Sequence, residues 1–285
     1  ETLPRGLTNS RIFHHHFRHT GEALGKRRHF QVKVDQQGSA GMNARSKPLI
    51  VIAPKEIQQW FEITAQLTDL HLPYSLQFID VNVATQPQQI TDGFIVQAHP
   101  LSHRVPSFAF SIYIKSIQKK LDTQALTQLG VPQGDMWGHL KRGYNIEFEG
   151  QTLKAQDFIK TQNQQVHAII GGDNNQPELL ADACKDAQLL IHEATYLQTV
   201  LDKVGKGPMH SSAKMVAEFA EQQSLSNLIL THFSPRHQDK AGQQAITEEV
   251  RQFYKGHFYL ANDFDEFTLN EAGQLLKVDK NRKTS

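Results

Sequence analysis

The sequence predicts an α/β fold. From about Pro48 onward, apolar runs of strand length alternate with segments of helical periodicity. Gly, Pro and small polar residues punctuate the boundaries. Polar residues capable of chemistry follow directly on several apolar runs, which is where α/β proteins gather their sites.

Leu49–Ala53 is a continuous apolar run and reads as a buried strand. Lys55–Leu67 follows with Ile57, Trp60, Phe61 and Leu67 at helical spacing. Tyr74–Val81 and Gly93–Ala98 alternate apolar and polar residues, and Ser107–Ile114 is rich in aromatic and β-branched residues, so all three read as strands. Residues 115–165 break the rhythm. Gly130, Pro132, Gly134, Gly138, Gly143 and Gly150 crowd this stretch with basic residues between them, which predicts an irregular, protruding excursion.

The alternation then resumes. Ala168–Ile170 reads as a strand running into Gly171, Gly172 and Asp173. Pro177–Ala187 reads as a helix with proline in its first turn, where a missing N–H costs nothing. Leu189–Ile191 is a strand ending in His192 and Glu193; Ser211–Gln223 is a helix that Ser211 or Ser212 can cap. Leu228–Leu230 ends in Thr231 and His232, Gln244–Tyr254 is a last helix, and Phe258–Ala261 closes as a strand. Asp173, His192, Glu193 and His232 thus all lie at strand ends.

The chain has 285 residues, 39% of them hydrophobic, enough to bury a core. No apolar run approaches the ~18 residues of a membrane helix, and the first thirty residues lack the apolar stretch of a signal peptide. The single cysteine, Cys184, excludes an internal disulfide framework, suits a reducing cytoplasm, and lies among apolar neighbours as a core residue would. The net charge of +1 gives no global signature of a nucleic-acid binder, but the charge is uneven. Residues 1–47 carry nine Lys/Arg against three Asp/Glu; Lys115, Lys119 and Lys120 form a second basic group, Lys141 and Arg142 a third. Such patches can contact phosphates or simply be solvated surface. Fifteen histidines, several beside Asp, Glu, Ser or Thr, hint at metal chemistry.

Five segments carry more than their composition: His99–Phe108 with His103 inside it, Gly171–Asp173, Leu190–Thr195 with His192 and Glu193, Met209–Ala213 with His210, and Ile229–Ser234 with His232. Singly each is weak. In this order and spacing they resemble the ribonuclease Z family, and Val131–Gly134 followed by Trp137–Gly143 resembles it too. The resemblance covers about residues 39–270.

It implies a metallo-β-lactamase-like αββα sandwich of two mixed sheets with outer helices. The domain is expected over 39–275, with a tRNA-binding arm inserted at about 115–165 and a disordered tail at 276–285. The implied activity is that of a zinc-dependent endoribonuclease that removes the 3′ trailer from precursor tRNA. Two zinc ions, a homodimer and a cytoplasmic location come with it. By position, His103, Asp173 and His232 match metal ligands, Asp173 being the carboxylate that bridges two ions. His210 matches a histidine assisting at the scissile phosphate or leaving group, and Glu193 a carboxylate that orients a histidine. His192 stays open between site and scaffold.

The N-terminus departs from the pattern. The family's early motif is His-x-His-x-Asp-His, but here His14, His16 and His19 surround Arg18 where the aspartate belongs. Arginine neither ligates zinc nor acts as a base at neutral pH. Residues 1–38 are read as divergent or damaged, with N-terminal strands missing and an exposed apolar edge left behind; a repurposed metal site and a coincidental histidine cluster stay open as alternatives. The chain is accordingly expected to cleave RNA poorly. Two other functions remain in play: a broader zinc phosphodiesterase of the same fold, and a non-catalytic RNA-binding remnant.

Overall fold

A computed structural model describes residues 30–33 and 48–279. The elements begin with β1 (Phe30–Lys33), β2 (Leu49–Ala53), α1 (Lys55–Leu67), β3 (Leu76–Asp80), β4 (Gln88–Thr91), β5 (Phe94–Leu101) and β6 (Ser107–Leu121). The excursion contains α2 (Thr123–Gln128), α3 (Asp135–Lys141), β7 (Ile146–Phe148), β8 (Gln151–Leu153) and α4 (Ala155–Phe158). There follow β9 (Ile159–Ile170), α5 (Ala181–Cys184), β10 (Leu189–Glu193), α6 (Gln198–Val204), α7 (Ala213–Gln222) and β11 (Asn227–Thr231). The chain continues through α8 (Lys240–Phe253), β12 (His257–Leu260), β13 (Glu266–Leu269) and β14 (Leu275–Lys277).

The chain divides into two compact units, residues 1–113 with 166–285 and residues 114–165. The first is built on a seven-stranded sheet of order β12-β11-β10-β9-β6-β5-β4. It is mixed: β9 to β12 run parallel, while β4 and β5 are antiparallel. On one face Ala109, Ile169, Leu190, Leu228 and Leu230 pack against Val216, Ala217 and Phe219 of α7 and Ile246 and Val250 of α8. Cys184 is buried in the same cluster, and burial pushes its thiol up to about 12, so it is a core residue and not a nucleophile. Against the other face, Ile52 of β2 and Ile79 of β3 meet Ala98, Phe108 and Phe110. Phe61 of α1 touches Phe78 of β3 from outside. The layers are therefore helix, sheet, sheet, helix.

The second sheet layer differs from the single mixed sheet expected. Among the described residues it consists of the parallel pair β2–β3 and a separate antiparallel sheet β1-β13-β14. Phe30–Lys33 pairs with Glu266–Leu269, so the N-terminal segment contributes a strand to the fold. Helix α1 buries none of its residues and leaves Ile63 58% and Leu67 80% exposed. His14, His16, Arg18 and His19 lie outside the described residues. At the other end, the expected tail begins inside β14, which takes Leu276 and Lys277 into strand pairing with β13.

Residues 114–165 correct the expectation of an irregular excursion. They hold three helices and a hairpin around their own core of Leu126, Val131, Leu140, Ala155 and Phe158. The glycines mark turns between short regular elements. Gly130, Gly134, Gly143 and Gly150 all have positive φ, and Glu149 with Gly150 forms the tight turn from β7 to β8. Asp122 caps α2 by accepting from the Ala125 amide, and the Trp137 indole donates to the Val131 carbonyl.

Three further boundaries moved. The helix expected over Pro177–Ala187 is a 3-10 turn, Pro177–Leu180, followed by α5, which ends at Cys184 so that the chain can turn into β10. His192 and Glu193 are the last residues of β10 itself. Ser212 caps α7 by accepting from the Met215 amide, while Ser211 Oγ donates to the Asn174 carbonyl.

Candidate metal centre

The parallel strands β9, β10 and β11 end side by side, and their following loops bring the polar residues together. His103 comes from the turn after β5, Asp173 from the loop after β9, Glu193 from the end of β10, His232 from the residue after β11, and His210 from the segment leading to α7. All five candidates fall in one cluster within the first unit. The ligating atoms of His103, Asp173 and His210 lie within 4.8 Å of one another, as do those of Glu193, His210 and His232. The rings of His103 and His232 flank that of His210, at centroid distances of 4.9 and 5.2 Å.

Local backbone requirements explain the placement. A Cβ on Gly172 would come within 2.7 Å of Ser107 Oγ and 2.9 Å of the Phe108 carbonyl oxygen. Only glycine lets this loop lie against β6, with its amide donating to the Phe108 carbonyl, and so deliver Asp173. His232 and Met209 are non-glycine residues at φ of 59° and 56°. Such conformations cost of order 1–3 kcal/mol and persist where surrounding contacts dictate them. For Met209 the contact is its carbonyl, which accepts from His103 Nδ1 at 2.9 Å.

Hydrogen bonding fixes the face each imidazole presents. The Met209 carbonyl can only accept, so His103 carries its proton on Nδ1. Glu193 Oε1 can only accept from His210 Nδ1, 2.8 Å away. The Nε2 atom of His103 then points a lone pair at Asp173 Oδ2, 3.7 Å away, and His232 Nε2 stands 3.6 Å from Asp173 Oδ1. These separations are too long for hydrogen bonds. Two ligands about 2.1 Å from a shared tetrahedral ion are about 3.4 Å apart. Lone pairs facing a carboxylate at this spacing suit a cation between them, so the donor set fits a metal.

Glu193 anchors the cluster from below. It is 2% exposed. Burial raises its pKa, but bonds from His210, Thr195 and the Asn174 amide more than reverse that, and its carboxyl is held below the ordinary range. Burial likewise lowers the pKa of His210, yet the bond and charge of Glu193, helped by Asp173, outweigh it, and the net shift is upward. His210 is therefore disposed to hold a proton.

His192 belongs to the scaffold. It is fully buried, and Nδ1 donates to the Glu193 carbonyl while Nε2 accepts from Asn174 Nδ2 at 3.1 Å. Burial lowers its pKa and keeps it neutral. The sequence reading missed Asn174, and it named Thr195 as the end of the Leu190–Thr195 segment without giving it a role. Asn174 is fully buried, and its Oδ1 accepts from the amides of Ser102 and Gln176, tying the loop after β5 to its own. Small polar residues beside candidate ligands were the available signal, but which loops they join is visible only in three dimensions.

No family model matches the chain. A ribonuclease Z of Marinobacter nauticus is 39% identical over 248 residues, spanning 85% of this chain and 76% of that protein. A ribonuclease Z of Pseudomonas putida is 36% identical over 244 residues, spanning 84% of this chain and 75% of its own length. Among solved structures, human tRNase Z, short form, aligns at 21% identity and a TM-score of 0.47, covering 80% of this chain and 70% of that one.

Proposed function

The chain belongs to the ribonuclease Z family, and on that premise we propose that it is a zinc-dependent endoribonuclease that removes the 3′ trailer from precursor tRNA. Cleavage gives a tRNA 3′-hydroxyl and a trailer with a 5′-phosphate. The observation that carries the reading is the pairing of His103 and His232 Nε2 with the two oxygens of Asp173, with His210 hydrogen-bonded to buried Glu193 beside them. His103, Asp173 and His232 would hold zinc. Bound there, zinc supplies Lewis-acid polarisation of the phosphate and renders water acidic enough to attack at neutral pH.

The remaining chemistry falls to the protein's own groups. Glu193 takes the Nδ1 hydrogen bond of His210 and stabilises the imidazolium. His210 then gives its Nε2 proton to the departing 3′-oxygen as the P–O bond breaks. The exposed Lys115, Lys119, Lys120, Lys141 and Arg142 offer phosphate contacts without base readout. The acting form is a homodimer in the cytoplasm, as the resemblance to the family implies. No helix among the described residues is long and apolar enough to cross a membrane. In sequence, Arg18 stands where the family motif has an aspartate, so that motif brings no carboxylate to ligate a metal or accept a proton, and turnover is lowered.

The test is a precursor-tRNA assay on the zinc-loaded chain. The expected result is cleavage at the trailer junction, more than tenfold slower than by a relative with the full motif, and lost by a further ~10²–10⁴-fold in His210→Gln. Equal turnover of tRNA and a small phosphodiester would favour a broader phosphodiesterase. RNA binding with no bound zinc would identify a non-catalytic remnant. Turnover within tenfold of the relative would overturn the assignment of a handicap to Arg18.

A further inference from the structure

Thr195 lies two residues beyond the end of β10 and is 5% exposed. Its hydroxyl meets three groups at once: Glu193 Oε2, His232 Nδ1 at 2.9 Å, and the His232 carbonyl oxygen at 3.1 Å. A hydroxyl has one proton to give and lone pairs to accept with. Of the two oxygens, the carboxylate is the stronger acceptor and the nearer one, so the Thr195 proton goes to Glu193. The contact with His232 Nδ1 must then run the other way, with the ring N–H donating to Thr195 Oγ1. That leaves His232 Nε2 unprotonated on the side facing Asp173.

We propose that Thr195 is the positioning residue that sets the tautomer of His232 and binds that ligand to the same carboxylate that holds His210. The proposal rests on the reading of His232 as a metal ligand. Glu193 is thereby committed on both oxygens: Oε1 to His210 and the Asn174 amide, Oε2 to Thr195. Without the hydroxyl, Oε2 loses its donor, and His232 Nδ1 stands 4.0 Å from it. At that distance no hydrogen bond forms, so Nδ1 is left without the acceptor that Thr195 supplied and the ring is released from its Nδ1–H form. The left-handed backbone of His232 fits this arrangement, since φ of 59° is the conformation in which Thr195 Oγ1 reaches both the ring and the carbonyl of one residue. The three imidazoles of the cluster are then each held through Nδ1 by a different acceptor: the Met209 carbonyl, the Glu193 carboxylate and the Thr195 hydroxyl.

The experiment compares the full chain with Thr195→Val, which keeps the shape and removes the hydroxyl, and Thr195→Ser, which keeps the hydroxyl. Zinc affinity is measured by competition with a chromophoric chelator. Histidine side-chain ¹⁵N NMR of the zinc-free protein reports the tautomer of His232. Thr195→Val should weaken zinc about 10–100-fold, the usual effect of removing a group that orients a ligand, and should shift His232 off the Nδ1–H form. Thr195→Ser should stay within about threefold of the parent by the same reasoning. A Val variant that keeps both the tautomer and the affinity overturns the proposal. If that variant does not fold, an Nε2–H tautomer in the unsubstituted protein overturns it alone, and an Nδ1–H tautomer there, restored in Thr195→Ser, supports it. A parent chain that binds no zinc defeats the metal-centre reading instead, while the NMR result still decides the role of Thr195.

Discussion

The two halves of the first unit are written in the same sequence grammar and end in different environments. In one, the five-residue strand β10 is buried at every position, its His192 and Glu193 included, and α7 buries five of its ten residues. In the other, the wholly apolar β2 is only half-buried throughout, and the amphipathic helix α1 buries nothing. Both segments obey the strand and helix periodicities equally well. What separates them is the neighbourhood: β10 lies inside the seven-stranded sheet under α7 and α8, whereas among the described residues β2 pairs with β3 alone. An amphipathic pattern states which face a helix would bury, and packing alone settles whether anything covers that face. The well-packed half is also the half that carries the candidate centre, as positioning of ligands to fractions of an ångström requires.

The largest break in this contrast should come at Asp173. Asp173→Asn leaves one oxygen acceptor where two imidazoles meet a carboxylate. Bound zinc, measured by elemental analysis, should fall to near zero, and cleavage should drop by more than about 10³-fold, since losing a metal costs more than losing a proton donor. Retained zinc would move the centre elsewhere.

Stability sharpens the comparison next. Leu228 is fully buried in the sheet beneath α7 and α8, so Leu228→Ala should cost about 2–5 kcal/mol in denaturant unfolding. Ile63→Ala on the exposed face of α1 should change stability by no more than about 0.5 kcal/mol. A large cost at Ile63 would show that this face is covered in solution.

Acid should strike the well-packed half. The buried Ser111 hydroxyl lies 2.8 Å from His99 Nε2 and 3.0 Å from His167 Nε2, and Tyr113 stacks on His167. Burial pushes the His167 imidazole from its ordinary 6.5 to about 4, with the nearby Asp186 opposing and His99 adding to the shift. The unfolded chain therefore binds more protons than the folded one between these values. The stabilisation is complete above about pH 6.5 and is lost as pH falls toward 4, amounting to about 3 kcal/mol at this site. Unfolding measured from pH 7 to 4 should show that loss, and His167→Gln should flatten it; a flat parent profile would mean that His167 is already exposed.

Most of the alternating elements could be read from the sequence because periodicity is local. Leu49–Ala53 and Lys55–Leu67 form over the spans their patterns indicate. Short elements separated by glycines in residues 114–165 could not, since three- to seven-residue helices and strands leave too few repeats to show a period and depend on the small core they share. Strand β13 and strand β14 went unread for the same reason.

For the candidate centre, the sequence by itself determined the residue types, and for Asp173, Glu193 and His232 the placement at strand ends; His103 and His210 were named with them by motif and resemblance. Only the tertiary structure decided which nitrogen each imidazole offers, that His192 serves the scaffold, and that Asn174 and Thr195 wire the loops together. The reason is physical. Strand ends follow from local hydrophobic pattern, but the direction of a hydrogen bond depends on which acceptor a neighbouring loop, tens of residues away in the chain, brings within 3 Å.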